Sequence, residues 1–297
     1  MTYSVETYTS REEWLEARRG GIGASDVAAI LGLIPKWSSP YKLWRQRMGY
    51  EAATVENEAM EWGLRLEPVI ADKYAQATGR KLVDRGRYTI LRSVEHPFMT
   101  CTLDREIESE RGPGDLEIKT ADAFHADEWD VTPPKRYQAQ FQAQLAVTGW
   151  GWGSLAVLIG GRNFRYWDIE RDQKTIPGLI EVCRRFWECV QNGTPPPIDS
   201  SEATAKALRE QYATQEDTTV ELPPESAAWD YELALIGGQI KALKDRETGL
   251  KNKLIASIGR ASYGLLPGGA GRYQFKLKRT PSFTVAEKSF RELRRVK

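Results

Sequence analysis

The spacing of apolar residues along the chain predicts several helices. In residues 57–79 and 137–149, apolar side chains recur every three or four positions, which is typical of a helix with one buried face. Residues 10–19 also have helical character, and Ser10 followed by Glu13 has the spacing of a capping box. We therefore expect helices over these three segments, in addition to an apolar helix within residues 21–32 and a short helix that begins near Pro40.

Strands are predicted where apolar and polar positions alternate. Residues 87–93 and 98–108 have this alternation, which places successive side chains on opposite faces of a sheet. The segment RGPGD (111–115) is typical of a tight turn, and it leads into the short strand LEIKT (116–120). We expect a β-hairpin here.

The second half of the chain predicts a domain boundary. Two strands, WGSLAVLIGG and NFRYWDIERD, and a helix precede GTPPPID (193–199), which has the composition of a linker. We therefore assign residues 1–198 to one domain and residues 199–297 to a C-terminal extension. Within the extension, 226–258 is a long helical stretch that could break at Gly237–Gly238. Together these elements predict an α/β (α+β) fold with a mixed sheet flanked by helices.

The charge balance and the cysteine content argue against a uniformly basic surface, structural zinc and disulfides. The 297 residues contain 42 Lys+Arg and 41 Asp+Glu, so any affinity for nucleic acid must come from a local basic surface. The C-terminal tail is such a surface, with basic residues at Lys276, Lys278, Arg279, Lys288, Arg291, Arg294, Arg295 and Lys297. The three cysteines form no C-x-x-C pair and only two histidines are present, which argues against structural zinc and disulfides.

The sequence favours a cytoplasmic protein. It shows no charged-then-apolar leader and no apolar run of about 18 residues, so neither secretion nor membrane spanning is expected. A reducing compartment fits the cysteine usage.

The hairpin predicts a cluster of charged side chains. Glu117 and Lys119 lie on the strand face opposite Leu116 and Ile118, and the turn brings Glu117 beside Asp104. Two neighbouring carboxylates repel each other unless a cation lies between them, and oxygen ligands suit Mg²⁺ or Mn²⁺. A lysine at this place can serve a metal-bound water or neutralise charge on a phosphate. The alternative is an ordinary ion pair on a solvent-facing strand.

These segments resemble a known nuclease family. LDRE followed by LEIK is similar to the D…(D/E)-x-K signature of the PD-(D/E)XK nucleases, although Leu103 stands where the usual proline precedes the aspartate. Together with RRGGIGASD, MEWGLRLEP and YQAQFQAQLAVTG, in that order, the pattern resembles the YqaJ-type viral recombinase family that includes lambda exonuclease. The resemblance covers about residues 10–190 and implies a restriction-endonuclease-like core.

The resemblance also implies an activity and its partners. The activity is a Mg²⁺-dependent exonuclease, with Mn²⁺ as a substitute, that digests linear double-stranded DNA from 5′ to 3′. It would leave 3′ single-stranded overhangs for a phage annealing protein in the cytoplasm of a bacterial host. Family members can form a ring-shaped homotrimer.

Individual residues take their expected roles from the family pattern. Glu67, which follows Trp62–Gly63, is the expected helical metal ligand. The remaining residues of the implied metal and catalytic site are Asp104, Glu117, the backbone carbonyl of Ile118, and Lys119.

Two further groups complete the implied site. Gln140 is the glutamine expected to orient the water or the scissile phosphate, although Gln138, Gln142 and Gln144 offer the same chemistry. Arg18 and Ser25 are expected to bind the 5′-terminal phosphate. The segment GIGASDVAAILG (21–32) supports this role, because a helix N-terminus there would direct N–H groups at an anion.

Other interpretations remain open at the level of sequence. Ser25 and Asp26 could be ordinary capping residues, and Glu67 could be a surface acid paired with Arg65 or Lys73. Trp37 and Trp44 could stack on a terminal base pair. The protein could instead be a structure-specific or sequence-specific endonuclease, or a non-catalytic DNA-binding module on the same fold.

Overall fold

The predicted hairpin forms the centre of the largest β-sheet in the computed structural model, which describes residues 2–51 and 57–279. The strands of the described residues follow in chain order: β1 (Tyr3–Thr7), β2 (Ile22–Gly23), β3 (Lys81–Val83), β4 (Thr89–Ser93), β5 (Met99–Cys101), β6 (Arg105–Glu108), β7 (Gly114–Ala121), β8 (Trp152–Ile159), β9 (Asn163–Glu170), β10 (Tyr263–Leu265) and β11 (Arg272–Gln274).

The helices flank these strands along the chain. In chain order they are α1 (Arg11–Arg19), α2 (Val27–Ile30), α3 (Pro40–Arg47), α4 (Glu58–Thr78), α5 (Lys135–Thr148), α6 (Ile176–Gln191), α7 (Glu202–Gln211) and α8 (Ser226–Ile258). Short 3₁₀ segments occur at Ala24–Asp26, Ala123–Trp129 and Pro267–Gly269.

Both main sheets mix strand directions. The five-stranded sheet has the order β3–β6–β7–β8–β9, with β6 antiparallel and β8 parallel to β7. The four-stranded sheet has the order β1–β4–β5–β2. This arrangement confirms the predicted mixed α/β fold class.

The strand predicted over 98–108 is divided between the two sheets. Residues 99–101 form β5 in the four-stranded sheet, whereas 105–108 form β6 in the five-stranded sheet. Between them, the Asp104 carboxylate accepts a hydrogen bond from the Ile118 N–H at 2.7 Å. The Asp104 side chain thus accepts the hydrogen bond that a main-chain carbonyl would accept if the strand continued. The alternation of apolar and polar residues does not predict this break in the strand.

The contact between β7 and β8 depends on a glycine. A Cβ atom at Gly153 would lie 2.2 Å from the backbone oxygen of Asp115, so a larger residue would force the two strands apart. On the same sheet, α5 contributes fully buried side chains such as Phe141 and Leu145 to the core. The strand that carries the predicted site is therefore packed between β8 and a buried helix.

The first helix is capped almost as predicted. Ser10 Oγ accepts a hydrogen bond from the Glu13 N–H at 3.2 Å. The Glu13 carboxylate accepts from the N–H of Thr9 at 3.1 Å, and hydrogen bonds from Thr9 and from the Ser10 backbone lower its pKa.

The boundary between the two units of the chain lies after α7. The first unit ends at Tyr212 and the second begins at Ala213, which is 14 residues beyond the expected boundary at 198. The reason is that α7 packs on the first unit: Thr204 Oγ1 donates to Ser39 Oγ at 2.7 Å, and Tyr41 donates to Gln211 at 2.6 Å. The PPP-containing segment therefore lies inside the first unit.

The second unit consists of a long helix followed by a short hairpin. Helix α8 runs through Gly237–Gly238 without interruption, and β10 and β11 pair antiparallel after it. Of the predicted basic tail, Lys276 donates to the Tyr263 hydroxyl at 2.6 Å, and residues 280–297 lie outside the described residues. Across 2–51 and 57–279, no helix has the length and apolar character needed to cross a bilayer.

A polar network joins α4 to the far edge of the larger sheet. Arg80 donates to both carboxylate oxygens of Asp168, at 2.7 and 2.6 Å, and also to the Tyr74 hydroxyl at 2.6 Å. Ser154 on β8 donates to Asp168 at 2.6 Å. The hydrogen bond from Arg80 lowers the pKa of Asp168, so the carboxylate is ionised in the folded protein at neutral pH.

We expect Asp168→Asn to lower the free energy of unfolding at pH 7 by about 2 kcal/mol, because charge-assisted hydrogen bonds are lost. Because the pKa of Asp168 is lower in the folded state, its carboxylate stabilises the protein at pH values above the unfolded pKa of about 4. The greater stability of the wild type should therefore disappear as the pH falls through the folded pKa. Urea titrations at several pH values measure this. Glu170→Gln, which removes an exposed pair with Arg111, is the matched control and should cost less than about 1 kcal/mol. Equal effects of the two changes would contradict the role of the network.

Candidate active site

A cavity of about 1270 Å³ opens beside the hairpin. It is larger than the roughly 300–1,000 Å³ of a typical small-molecule site, so it has room for the end of a polymer. It is lined by all the residues that the sequence predicted for catalysis, metal binding and phosphate binding: Arg18, Ser25, Glu67, Asp104, Glu117, Ile118, Lys119 and Gln140.

The register of β6 and β7 brings the two strand acids together. Arg105 pairs with Leu116, so Asp104, one residue earlier, lies opposite Glu117. The Ile118 N–H that bonds Asp104 leaves β7 on this same edge. Because the N–H and C=O of one strand residue point to the same edge, the Ile118 carbonyl is also directed toward Asp104.

Glu117 is held on both of its oxygens. It is 2% exposed, and Oε1 accepts from Gln140 Nε2 at 2.6 Å and forms an ion pair with Lys119 Nζ. Oε2 accepts from Gln144 Nε2 at 2.5 Å. These three donors fix the orientation of the carboxylate.

The four glutamines of α5 divide into two pairs. Gln140 and Gln144, four residues apart on one face, contact Glu117. In contrast, Gln138 donates to the Pro133 carbonyl, and Gln142 donates to the Glu170 carbonyl at 2.8 Å. The structure thus places Gln140 where the sequence predicted it and adds Gln144 beside it.

The cluster carries more negative than positive charge. Burial raises the pKa of Asp104 well above its ordinary value, and the charges of Glu117 and Glu67 raise it further, against the effect of Lys119. Burial alone would lower the pKa of Lys119, but the charges of Glu117 and Asp104 outweigh burial and raise it. Lys119 is therefore an ammonium ion in this arrangement.

Asp115 is a third acid of this cluster that the sequence analysis did not assign. It lies on β7 two residues before Glu117, is fully buried, and neither of its oxygens has a hydrogen-bond partner. Burial raises the pKa of Asp115 well above its ordinary value, and the charges of Glu117 and Asp104 add to the rise. The sequence signal for Asp115 was the alternation D-x-E-x-K, which places Asp115, Glu117 and Lys119 on one face of the strand.

The chemistry of the cluster fits a hard divalent cation. Asp104, Glu117 and the Ile118 carbonyl offer oxygen ligands on one edge of β7, and Asp104, Asp115 and Glu117 outnumber the single ammonium of Lys119. The arrangement is nevertheless not a complete ligand cage. Within the described part of the chain, no three Asp, Glu, His or Cys side chains are grouped closely enough to hold one ion.

Glu67, the helical metal ligand expected from the sequence, is turned toward an arginine. Glu67 lines the cavity from α4, but its Oε1 accepts a hydrogen bond from Arg105 Nη1 at 2.6 Å. Arg65, which the sequence offered as a partner, bonds Glu61 instead. Glu67 is therefore near the strand acids, as predicted, but paired with an arginine.

A second group of charged residues occupies another wall of the same cavity. Arg18 Nη2 donates to Ser25 Oγ at 3.2 Å, and the Arg18 guanidinium stacks on Trp14 at 4.6 Å from the ring centroid. Burial lowers the pKa of Arg18, as does repulsion from Arg47, while Asp26 opposes the change. Arg47 forms an ion pair with Asp26, and the charge of Asp26 also acts on Arg18.

The helix expected over 21–32 is shorter than predicted. Residues 24–26 form a 3₁₀ turn and α2 has only four residues, so a helix N-terminus contributes little to anion binding here. Ser25 caps no helix, and Asp26 instead accepts a hydrogen bond from the Gly23 N–H at 2.9 Å. The arginines therefore supply the positive charge of this wall.

The two tryptophans considered as base-stacking residues differ in exposure. Trp44 is buried in the core, and its indole N–H donates to the Cys189 carbonyl at 3.2 Å, so its predicted role was wrong. Trp37 is 64% exposed and lines a second cavity of about 410 Å³ next to Ser25 and Gln140. Only Trp37 is therefore accessible to a base.

Sequence comparisons show which proteins this chain is similar to. A family model described as a YqaJ-like viral recombinase domain matches residues 13–151. The uncharacterized protein YqaJ of Bacillus subtilis (strain 168) is 33% identical over 289 residues, which cover 95% of this chain and 88% of that protein.

Solved structures share the fold. LHK-Exo in complex with dAMP is 24% identical and has a TM-score of 0.50, covering 61% of this chain and 93% of its own. A structure of the alkaline exonuclease LHK-Exo from Laribacter hongkongensis is 22% identical, with a TM-score of 0.49 and coverage of 67% and 97%. The first of these likenesses confirms the fold class expected from the sequence.

We expect Asp115→Asn to stabilise the metal-free protein at pH 7 to 8 by about 1–3 kcal/mol, because it removes a buried, unpaired charge. Because the pKa of Asp115 is raised in the folded state, the wild type should lose stability as the pH rises above the unfolded pKa of about 4. The Asp115→Asn variant should lose less stability over the same pH range. Urea titrations in the presence of a chelator, from pH 4 to 8, measure both. Asp127→Asn changes an exposed aspartate and should have little effect; a destabilised Asp115→Asn would contradict the interpretation.

Proposed function

This chain belongs to the YqaJ-like viral recombinase family, and on that premise we propose that it is a metal-dependent exonuclease acting on the 5′ ends of linear double-stranded DNA. One observation carries the proposal. The acids and lysine of the hairpin share a single cavity with the Arg18–Ser25 pair, so a site for hydrolysis and a site for a terminal phosphate are adjacent.

The substrate follows from the chemistry of the two walls. Arg18 and Arg47 supply positive charge and the Ser25 hydroxyl a hydrogen bond, which suit a terminal phosphate. The similar fold of LHK-Exo, whose solved structures include a complex with dAMP and which is described as an alkaline exonuclease, supports a nucleic-acid substrate.

The proposed cofactor is Mg²⁺, with Mn²⁺ as a substitute. Asp104, Glu117 and the Ile118 carbonyl would hold it, and Glu67 would join them after leaving Arg105. When bound, the ion would neutralise charge on the scissile phosphate and acidify a water molecule.

The chain's own residues then have separate roles. Gln140 and Gln144 fix the Glu117 carboxylate, so its position changes little when a ligand binds. Lys119, held as a cation beside Glu117, would stabilise negative charge as water attacks phosphorus. The P–O3′ bond breaks, the released nucleotide keeps its 5′-phosphate and gains a 3′-hydroxyl, and the next nucleotide carries a new 5′-phosphate.

This outcome accounts for the direction of digestion. Each cleavage creates the same 5′-phosphate that Arg18 and Ser25 would bind, so the product of one step is the substrate of the next. Digestion of one strand from 5′ to 3′ leaves a 3′ overhang, which a phage single-strand annealing protein would receive. A ring-shaped trimer around the DNA, as the family resemblance implies, would favour many steps per encounter.

Substrate topology separates an exonuclease from an endonuclease on the same fold. With Mg²⁺, linear duplex DNA should be digested from its 5′ ends, which releases mononucleotides and leaves single-stranded DNA, whereas a covalently closed circle should remain intact. Gel electrophoresis and acid-soluble nucleotide release measure both. Conversion of the closed circle to linear DNA would identify an endonuclease, and no digestion of either form would favour the non-catalytic binding module.

We expect Asp104→Asn and Lys119→Met each to reduce the rate of linear duplex digestion by about 100-fold or more, because a metal ligand or a charge-stabilising group is lost. DNA binding, measured by fluorescence anisotropy, should be retained since Arg18 and Ser25 are unchanged. Matched controls are Asp127→Asn and Lys135→Met, exposed residues that line neither cavity. Full activity of Lys119→Met would exclude this site.

We expect Ser25→Ala and Arg18→Gln to reduce the ratio of the rates on 5′-phosphorylated and 5′-hydroxyl duplexes by roughly 5- to 50-fold, because charge-assisted hydrogen bonds to the phosphate are lost. Single-turnover rates on the two duplexes give the ratio. Arg19→Gln changes an arginine on the same cavity wall that pairs with Glu16, and it should leave the ratio unchanged. An unaltered ratio in Arg18→Gln would remove this pair from the phosphate site.

A further inference from the structure

Helix α8 has 33 residues and none of them is buried. Large apolar side chains along it are nevertheless exposed, among them Trp229 at 57% and Leu243 at 63%. The helix also contains Gly237, Gly238 and Gly249, which weaken a helix that has no packing partner. Most helical stability in proteins comes from burying an apolar face, so α8 requires a partner surface.

Seven large apolar residues of α8 follow a heptad repeat, whereas Tyr231, Leu235, Ile255 and Ile258 lie outside it. Trp229, Leu233, Ile236, Ile240 and Leu243 succeed one another at alternating steps of four and three residues. After Glu247, the repeat continues with Leu250 and Leu254. A stripe of period 3.5 sustained over more than three heptads is the pattern of a two-stranded coiled coil, not of a helix that packs on a globular core.

The charges beside this stripe are arranged asymmetrically along the helix. In the heptad register, with Leu233 and Ile240 at a positions, the flanking e and g positions near the start are Asp230 and Glu232. Near the end, the e and g positions are all basic: Lys244, Arg246, Lys251 and Lys253. One end of the interface is therefore acidic and the other basic.

We propose that α8 pairs with α8 of a second copy of this chain as an antiparallel coiled coil centred between Lys241 and Ala242. In this register, Trp229 faces Leu254 of the second copy, Leu233 faces Leu250, and Ile240 faces Leu243. Every apolar position of the stripe then meets a position of the same stripe. The inference is independent of the proposed nuclease activity.

The flanking charges select this orientation. In the antiparallel pair, Asp230 lies opposite Lys251 and Glu232 opposite Lys253, and symmetry produces each pair twice. A parallel, in-register pair would instead place Arg246 of one copy beside Lys251 of the other, which is repulsive. Glu247 occupies one core layer opposite Ile236, and its ion pair with Lys251 at 2.5 Å keeps it at the margin of the stripe.

The test is the mass of the full chain by sedimentation velocity between about 1 and 100 µM. The wild type should associate through α8 with rising concentration, and Ile240→Lys should abolish this step. Assembly through the first unit would occur in both the wild type and Ile240→Lys. The difference in mass between the two proteins therefore reports association through α8. Equal masses at all concentrations would overturn the proposal and leave the face to a different partner.

Charge reversal tests the orientation. Asp230→Lys with Glu232→Lys, and separately Lys251→Glu with Lys253→Glu, should each raise the concentration for half-association by roughly tenfold, because four ion pairs become repulsive. An equimolar mixture of the two variants should associate at least as well as the wild type. Stronger self-association of Lys251→Glu with Lys253→Glu would indicate a parallel pair and overturn the proposal.

The control makes one lysine-to-glutamate change and one aspartate-to-lysine change on the outer face of α8. Lys241→Glu with Asp245→Lys alters the b and f positions of the heptad, and the mass should match the wild type at each concentration. Far-UV circular dichroism confirms that each variant keeps its helix. Because all these changes lie outside the cavity of the first unit, digestion of linear duplex DNA should be retained even if association is lost.

Discussion

The structure depends on an electrostatic constraint: three carboxyl groups and one ammonium are enclosed beside a single strand. Asp104, Asp115 and Glu117 cannot all ionise there without a counter-charge, and Lys119 neutralises only one of them. A chain that only had to fold would gain stability from apolar residues at these positions. Retaining the acids is therefore a stability cost that a bound cation would offset, and this links the fold to the chemistry that we propose.

The surroundings of the cluster reduce the motion of its members. Gln140 and Gln144 hold both oxygens of Glu117, the Ile118 N–H holds Asp104, and Gly153 allows β8 to approach closely behind Asp115. Only Glu67 is held by a residue outside the cluster, since Arg105 binds it. The hairpin with α5 is thus preorganised, and binding of the proposed metal ion would require a single side chain on α4 to rearrange.

Much of this could be predicted from the sequence, because alternation and turn residues are local signals. The hairpin, its register and the placement of Asp104 opposite Glu117 followed from strand periodicity and the RGPGD turn. The division of 98–108 between two sheets did not, since a side-chain hydrogen bond from Ile118 replaces a strand ladder there. The short α2 and the burial of Trp44 likewise result from tertiary packing, whereas the separation of Gln140 from Gln142 follows from helical periodicity.

The point at which the chain passes from one sheet to the other also fixes the separation between Ser25 and Asp104. Strand β2, which leads directly to Ser25, pairs in parallel with β5, and only residues 102–104 separate β5 from β6. The cavity wall that carries Ser25 and the acid Asp104 are therefore fixed to the same pair of strands, with few residues between them. If a terminal phosphate rests at Ser25, this fixed span acts as a molecular ruler that selects which phosphodiester along the strand meets the acids. The size of each excised piece would then be a property of the backbone and not of the DNA sequence.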